Sequence, residues 1–98
     1  MASAATAKSR VHGHKALVDL LQRAYSAEKA AAFAYQGHAA SVKSPVEKKE
    51  IHQIEVDEWG HRHEVLEIMK QYGIPVSKSY ERRFHIIGKT ISGACHVI

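Results

Sequence analysis

The sequence predicts an all-α fold, a helical hairpin followed by a third helix, and three observations carry that prediction. Alanine is abundant while the 98 residues contain only two prolines and six glycines, so little interrupts helix propagation. Apolar residues recur at three- and four-residue spacing along two long stretches. The tetrapeptide "SPVE", residues 44–47, joins an N-cap serine, a proline at the first helical position and a glutamate three residues after the cap, a combination that satisfies the free N–H groups of a helix start. There is no alternating strand pattern, repeat or low-complexity linker.

Taken in order, residues 1–13 read as a flexible terminus. They are rich in Ala and Ser with no acid before Asp19, which faintly resembles an organelle transit peptide but lacks a strong Arg pattern. One domain follows, residues 14–98. Its first helix is predicted over about 14–41, interrupted only by Gly37, and its second over about 45–72. Gly73 is placed to take the left-handed conformation after a helix end, and Pro75 prevents continuation. The third helix starts after Ser77 or Ser79 and runs over about 78–98, where Gly88 and Ser92 put small residues four apart, as close helix packing prefers. Ile98 ends an apolar stretch with no cap or polar tail, which predicts cover by a partner or by further chain. A chain of this size buries roughly two-thirds of its unfolded surface, so self-association would add substantially to its stability.

Composition excludes several functions. The net charge is +4 and the basic residues are scattered apart from Lys78, Arg82, Arg83 and Lys89. A nucleic-acid binder would carry a denser basic stripe with stacking aromatics; a basic, partly apolar last helix suits an anionic membrane surface better. Cys95 is the sole cysteine, which excludes an internal disulfide and suggests a reducing compartment. No run of about 18 apolar residues exists to form a lone spanning helix.

The chemistry lies in "VDEWGHRHEV", residues 56–65. One stripe of the second helix reads Ile51, Ile54, Glu58, His61, Val65, Ile68, Tyr72, and one of the first reads Leu17, Leu21, Ala24, Glu28, Ala31, Tyr35. Ionisable groups thus interrupt what reads as a buried seam on each helix. The short connection at Lys43 and Ser44 forces an antiparallel hairpin. Glu28 precedes Lys43 by 15 residues and Glu58 follows it by 15, so both lie roughly 22 Å from the turn at about 1.5 Å per residue. His61 is one turn further on the same face. A hydrogen-bonded polar layer that fixes register is the plain alternative, but no Lys or Arg lies on either stripe near that level to offset two acids. A bound dication does offset them, and it accounts for the Glu-x-x-His spacing. Two carboxylates and an imidazole suit iron, or manganese, better than structural zinc. One Glu plus one Glu-x-x-His is half of a di-iron site in a four-helix bundle, so a second copy or further chain must supply the rest.

Neighbouring residues are weaker candidates. Glu55 is one turn from Glu58, a candidate to support the ligands from behind, though an exposed acid is the default for such a position. Asp57 precedes His61 by four residues and is a candidate to hold its outer ring nitrogen. His38 lies about 15 Å along the helix from Glu28. His52 and His63 point away from the triad and read as solvated, and Trp59, Tyr25 and Tyr35 read as core.

The stretches "AYSAEKAAAFAYQGHAASVKSP" and "EIHQIEVDEWGHRHEVLEIMKQYGIPVSKSYERRFHIIGKTISGACHVI" together resemble the bacterial ferritin-like proteins grouped with the demethoxyubiquinone hydroxylase family. The likeness spans about residues 24–98 and rests on Glu28 in "YSAEKAA", on Glu58 and His61 in "EWGH", and on the late "GKT" and "CHV". It implies a ferritin-like bundle with a di-iron carboxylate centre, in which Glu28 is a terminal or bridging ligand, Glu58 a bridging one and His61 a terminal one. It further implies dioxygen reduction at two ferrous ions, hydroxylation of a quinone-like lipid, electrons from NADH or a reductase, and peripheral attachment to a membrane. The expected location is the cytoplasm or the inner-membrane surface, mitochondrial in a eukaryote. The family pattern has a second Glu and a second Glu-x-x-His on later helices, whereas the acids after His61 here are Glu64, Glu67 and Glu81. A homodimer would restore both ligand sets. A ferroxidase using the same ligands and a non-catalytic helical interaction module are the competing expectations.

Overall fold

The computed structural model describes residues 4–95, and all four of its elements are helices: α1 (Ala4–Gly13), α2 (Lys15–Ser41), α3 (Pro45–Gln71) and α4 (Lys78–Ala94). There is no strand among the described residues. Helix α1 lies where the sequence predicts a flexible terminus. It is held by its far end, where Val11 packs against the core and the His12 ring nitrogen Nε2 lies 2.7 Å from the Tyr72 carbonyl. The predicted end of the third helix, residues 96–98, falls outside the described residues.

The predicted punctuation forms as expected. The Ser44 hydroxyl accepts from the Glu47 N–H with Pro45 opening α3. At the other end Gly73 takes a positive φ of 67°. The Gly73 N–H then reaches the Lys70 carbonyl and the Ile74 N–H the Met69 carbonyl, at 3.1 and 2.8 Å. This is the paired-bond helix stop that a left-handed glycine permits, and its customary apolar contact is present, since Met69 and Ile74 are both buried in one cluster with Tyr25. Ser77 caps α4 by accepting from the Tyr80 N–H.

Helix α2 lies between α3 and α4. It runs antiparallel to α3, with Tyr25 beside Arg62 and Phe33 edge-on to Trp59. It runs parallel to α4, because Asp19 meets Tyr80, Ala30 meets Gly88 and Gly37 meets Ser92. Gly37 and Gly88 set that spacing. A Cβ on Gly88 would lie 2.8 Å from the Ala30 Cα, and one on Gly37 would lie 2.5 Å from the Ser92 Cα and carbonyl oxygen. The glycine that looks in sequence like an interruption of the first helix is therefore a point of close approach to α4.

The seams expected to be buried are instead half-open. Leu17, Ile54 and Ile68 are exposed, and the buried apolar residues are Tyr25, Ala30, Ala32, Met69 and Ile74. The hairpin is rotated from the expected pairing because Tyr25 and Met69 close it with Ile74, while α4 occupies the adjacent side of α2. The result is a slab, 54 × 25 × 14 Å with a radius of gyration of 16.5 Å, where a compact chain of this length has about 13 Å.

Gly37→Ala tests the packing against local propensity. The substitution favours an isolated helix by about 1 kcal/mol, but the added methyl meets backbone that cannot move aside alone, and overpacking of this kind costs about 1–3 kcal/mol. The thermal midpoint is expected to fall; a rise would mean that α2 and α4 are not in contact at Gly37.

Candidate metal centre

Glu28 and Glu58 are the middle residues of two helices of 27 residues each, which is why the equal distances from the turn bring them level. One ligand atom from each of Glu28, Glu58 and His61 lies within 4.8 Å of the others. His61 turns Nδ1 to within 3.6 Å of Glu58 Oε1, so that nitrogen is the one offered to the acids. The imidazole is 55% exposed and the Glu58 side chain 20%. The triad therefore sits at the lip of the groove between α2 and α3 rather than deep inside the hairpin.

Its electrostatics are unbalanced. Glu28 Oε2 is buried without a hydrogen-bond partner. The Glu28 carboxyl is pushed up from 4.5 to about 7, first by the hydrogen-bonding proximity of Glu58, then by burial and by the Glu58 charge; the neighbouring His61 opposes the rise. Two acids at this separation do not both ionise readily without a cation. The nearest cations face elsewhere. Arg62 donates to both oxygens of Glu81 and to the Tyr25 carbonyl, with its guanidinium 3.8 Å over the Tyr25 ring. Lys29 Nζ is 3.8 Å from Glu81. The Arg62 hydrogen bonds hold the Glu81 carboxyl below the ordinary range although burial opposes them. The fully buried Ser26 hydroxyl has no hydrogen bond of ordinary geometry, yet lies near enough to Glu81 to assist. So Glu81, one of the acids not assigned to the site, absorbs the positive charge that flanks Glu28 and His61 in sequence. Nothing local in the sequence signals this bridge, because its partners are 19 residues or more from Glu81.

The two supporting candidates lie elsewhere. Glu55 is buried, not an exposed acid, with one oxygen accepting from the Trp59 indole N–H at 2.9 Å and the other 3.3 Å from His52 Nδ1. It braces Trp59, whose ring meets Phe33. Asp57 is exposed and accepts from Gln53 at 3.0 Å, one turn back along α3. No hydrogen bond links either acid to His61.

The donor set fits a dication. Two carboxylates supply charge and oxygen donors, one imidazole supplies a borderline nitrogen, and one Glu28 oxygen is left without a hydrogen-bond partner in the chain. Searches against protein-family models, curated proteins and solved structures find no match to this chain. The site therefore has to be read from its own geometry.

Glu28 carries a pH signature. Folded protein keeps a proton on this carboxyl that the unfolded chain gives up near 4.5, so its contribution to metal-free stability is complete below about 4.5 and is lost as pH rises through about 7. Glu28→Gln cannot ionise. In chelator-treated protein, the urea-unfolding free energy of the variant is expected to rise relative to the native sequence between pH 4.5 and 7 and to level off above. Effects of Glu81 cancel in that difference. A difference that stays flat across the window would mean that Glu28 is not crowded by Glu58.

Proposed function

We propose that this chain binds iron, with manganese as the substitute, through Glu28, Glu58 and His61, as half of a di-iron carboxylate centre that activates dioxygen. The observation that carries the reading is the convergence of Glu28 on a second carboxylate and an imidazole, with one Glu28 oxygen buried and partnerless and the adjacent cations committed to Glu81. A register-fixing polar layer would have satisfied that oxygen within the chain.

The residues divide the work. Glu28 and Glu58 provide the negative charge and His61 the nitrogen, and Glu28 releases its proton as the cation arrives. The Arg62–Glu81 bridge keeps a guanidinium from competing for the same carboxylates. Trp59, fixed by Glu55, and Phe33 close the opposite side of α2. When bound, a pair of iron ions supplies the redox chemistry that reduces dioxygen, which no side chain here can do. The substrate reading, hydroxylation of a quinone-like lipid with electrons from a reductase, rests on the likeness of "YSAEKAA" and "EWGH" to the demethoxyubiquinone hydroxylase family. No helix among the described residues is long and apolar enough to cross a membrane.

Metal analysis of protein purified without chelator tests the first part. We expect near one iron or manganese per chain, and Glu58→Ala is expected to lose at least nine-tenths of it while staying largely helical by circular dichroism. Unchanged metal content in that variant would remove the assignment. Incubation with ferrous iron, oxygen, a reductant and a short-tailed quinone tests the second part. Hydroxylated product supports the oxygenase, whereas iron oxidation without such product would leave a ferroxidase.

A further inference from the structure

The slab has two unlike faces. By helical periodicity, the side on which Phe33 lies also carries Lys29, Trp59, Arg62, Glu81, His85 and Lys89, and ion pairs and aromatic edges close it. The same periodicity places a different set on the opposite side. Helix α2 contributes Leu17 and Leu20 with the row Ala24, Ala27, Ala31 and Ala34; α3 contributes Ile54, Val65 and Ile68 around His61; α4 contributes Ile87 and Ile91. Six of these large side chains, Leu17, Leu20, Ile54, Ile68, Ile87 and Ile91, are 39–52% exposed. The triad opens in the middle of that face.

We infer that a second copy of this chain packs on this apolar face across a two-fold axis, setting its own Glu28, Glu58 and His61 against the first set; this rests on the metal reading above. Three observations select a second copy over any other occupant. The first is position. Glu28 and Glu58 stand at the midpoints of their helices, so two-fold packing about the slab centre superposes the half-sites, and a self-complementary patch is what such symmetry requires. The second is area. The chain exposes 6613 Å², about 1,000 Å² more than the roughly 5,600 Å² of a compact monomer of its mass, and a standard stable interface takes about 800 Å² from each partner. The third is shape. The alanine row on α2 lets another helix approach closely, much as Ala30 already receives Gly88 on the adjoining side.

The pairing brings four carboxylates together, so association and metal binding are linked: the cation stabilises the dimer, and the dimer raises the affinity for the cation. Because α4 adds Ile87 and Ile91 to the contact, the assembly has six helices around the centre, with the α2–α3 hairpins innermost.

The test is mass by analytical ultracentrifugation of the full chain, with chelator and with Mn²⁺ alone, for the native sequence and for Leu20→Glu combined with Ile87→Glu. Both substituted residues are exposed and distant from the ligands, so the variant should fold. We expect the native chain with Mn²⁺ at twice 10.9 kDa and a hundredfold or greater rise in the dimer dissociation constant in the variant. We also expect its Mn²⁺ resonance to change from that of a coupled pair to that of isolated ions. A native chain that binds Mn²⁺ yet stays monomeric at 100 µM (a concentration chosen to favour association) overturns the inference and leaves the metal reading intact. A dimer that forms equally without metal, and binds none, overturns the metal reading and leaves the face. A variant that dimerises as well as the native chain shows that the contact is elsewhere and overturns the inference.

Discussion

The crowding of Glu28 against Glu58, with the adjacent Lys29 and Arg62 both turned to Glu81, is the constraint around which the rest of the structure is organised. A carboxylate at a groove lip normally finds water, a backbone N–H or a lysine. Here one Glu28 oxygen is buried with no hydrogen-bond partner in the chain, and the hydrogen-bonding proximity of Glu58, with burial and the Glu58 charge, raises the carboxyl to about 7. The crowding is local and persists because both acids project from the centres of long helices. Ser44 with Pro45 fixes one end of α3 and the Gly73 stop fixes the other. Fraying at a helix terminus could relieve such a clash; thirteen helical residues on either side of each acid prevent it.

Charge is distributed to protect that arrangement. Arg62 follows His61 directly and Lys29 follows Glu28 directly, so each cation is 100° around its helix from a triad member. Both are drawn to Glu81 on α4, where Arg62 makes a two-pronged bridge that is about four-fifths buried on each side. Bridges of this geometry are stronger and more directional than single contacts. Here the bridge ties α3 to α4 across α2. One face of the slab is thereby locked by polar contacts, which leaves the apolar and alanine-rich surface on the face where the triad opens.

Much of the fold could be read residue by residue, because the signals are local. The Ser44 cap, the Gly73 stop and the limits of α2 and α3 formed as their sequence chemistry predicts, to within a residue or two, and of the two serines offered as the start of α4 it is Ser77 that caps it. The triad was also legible, since matched distances from one turn are enough to bring Glu28 level with Glu58 and His61. Other positions could not be read this way. Gly37 looked like a weak point in α2, yet it is the point of contact with Ser92. Glu55 looked like an exposed acid, yet the Trp59 indole holds it in the interior. Residues 1–13 read as a flexible terminus, yet 4–13 form a helix secured by Val11 and His12.

Local chemistry along the chain sets the limits of α2 and α3, the start of α4 and which side chains share a height and a face, because caps, glycines and the 3.6-residue repeat act within one stretch of backbone. How far each helix turns about its own axis is settled by long-range packing alone, and with it the half-open state of the expected seam and the core of Tyr25, Met69 and Ile74. That rotation is set by the sum of contacts between residues far apart in the chain, Gly88 on Ala30 and Arg62 on Glu81 foremost among them. No periodicity within a single helix records which of its neighbours will be nearest.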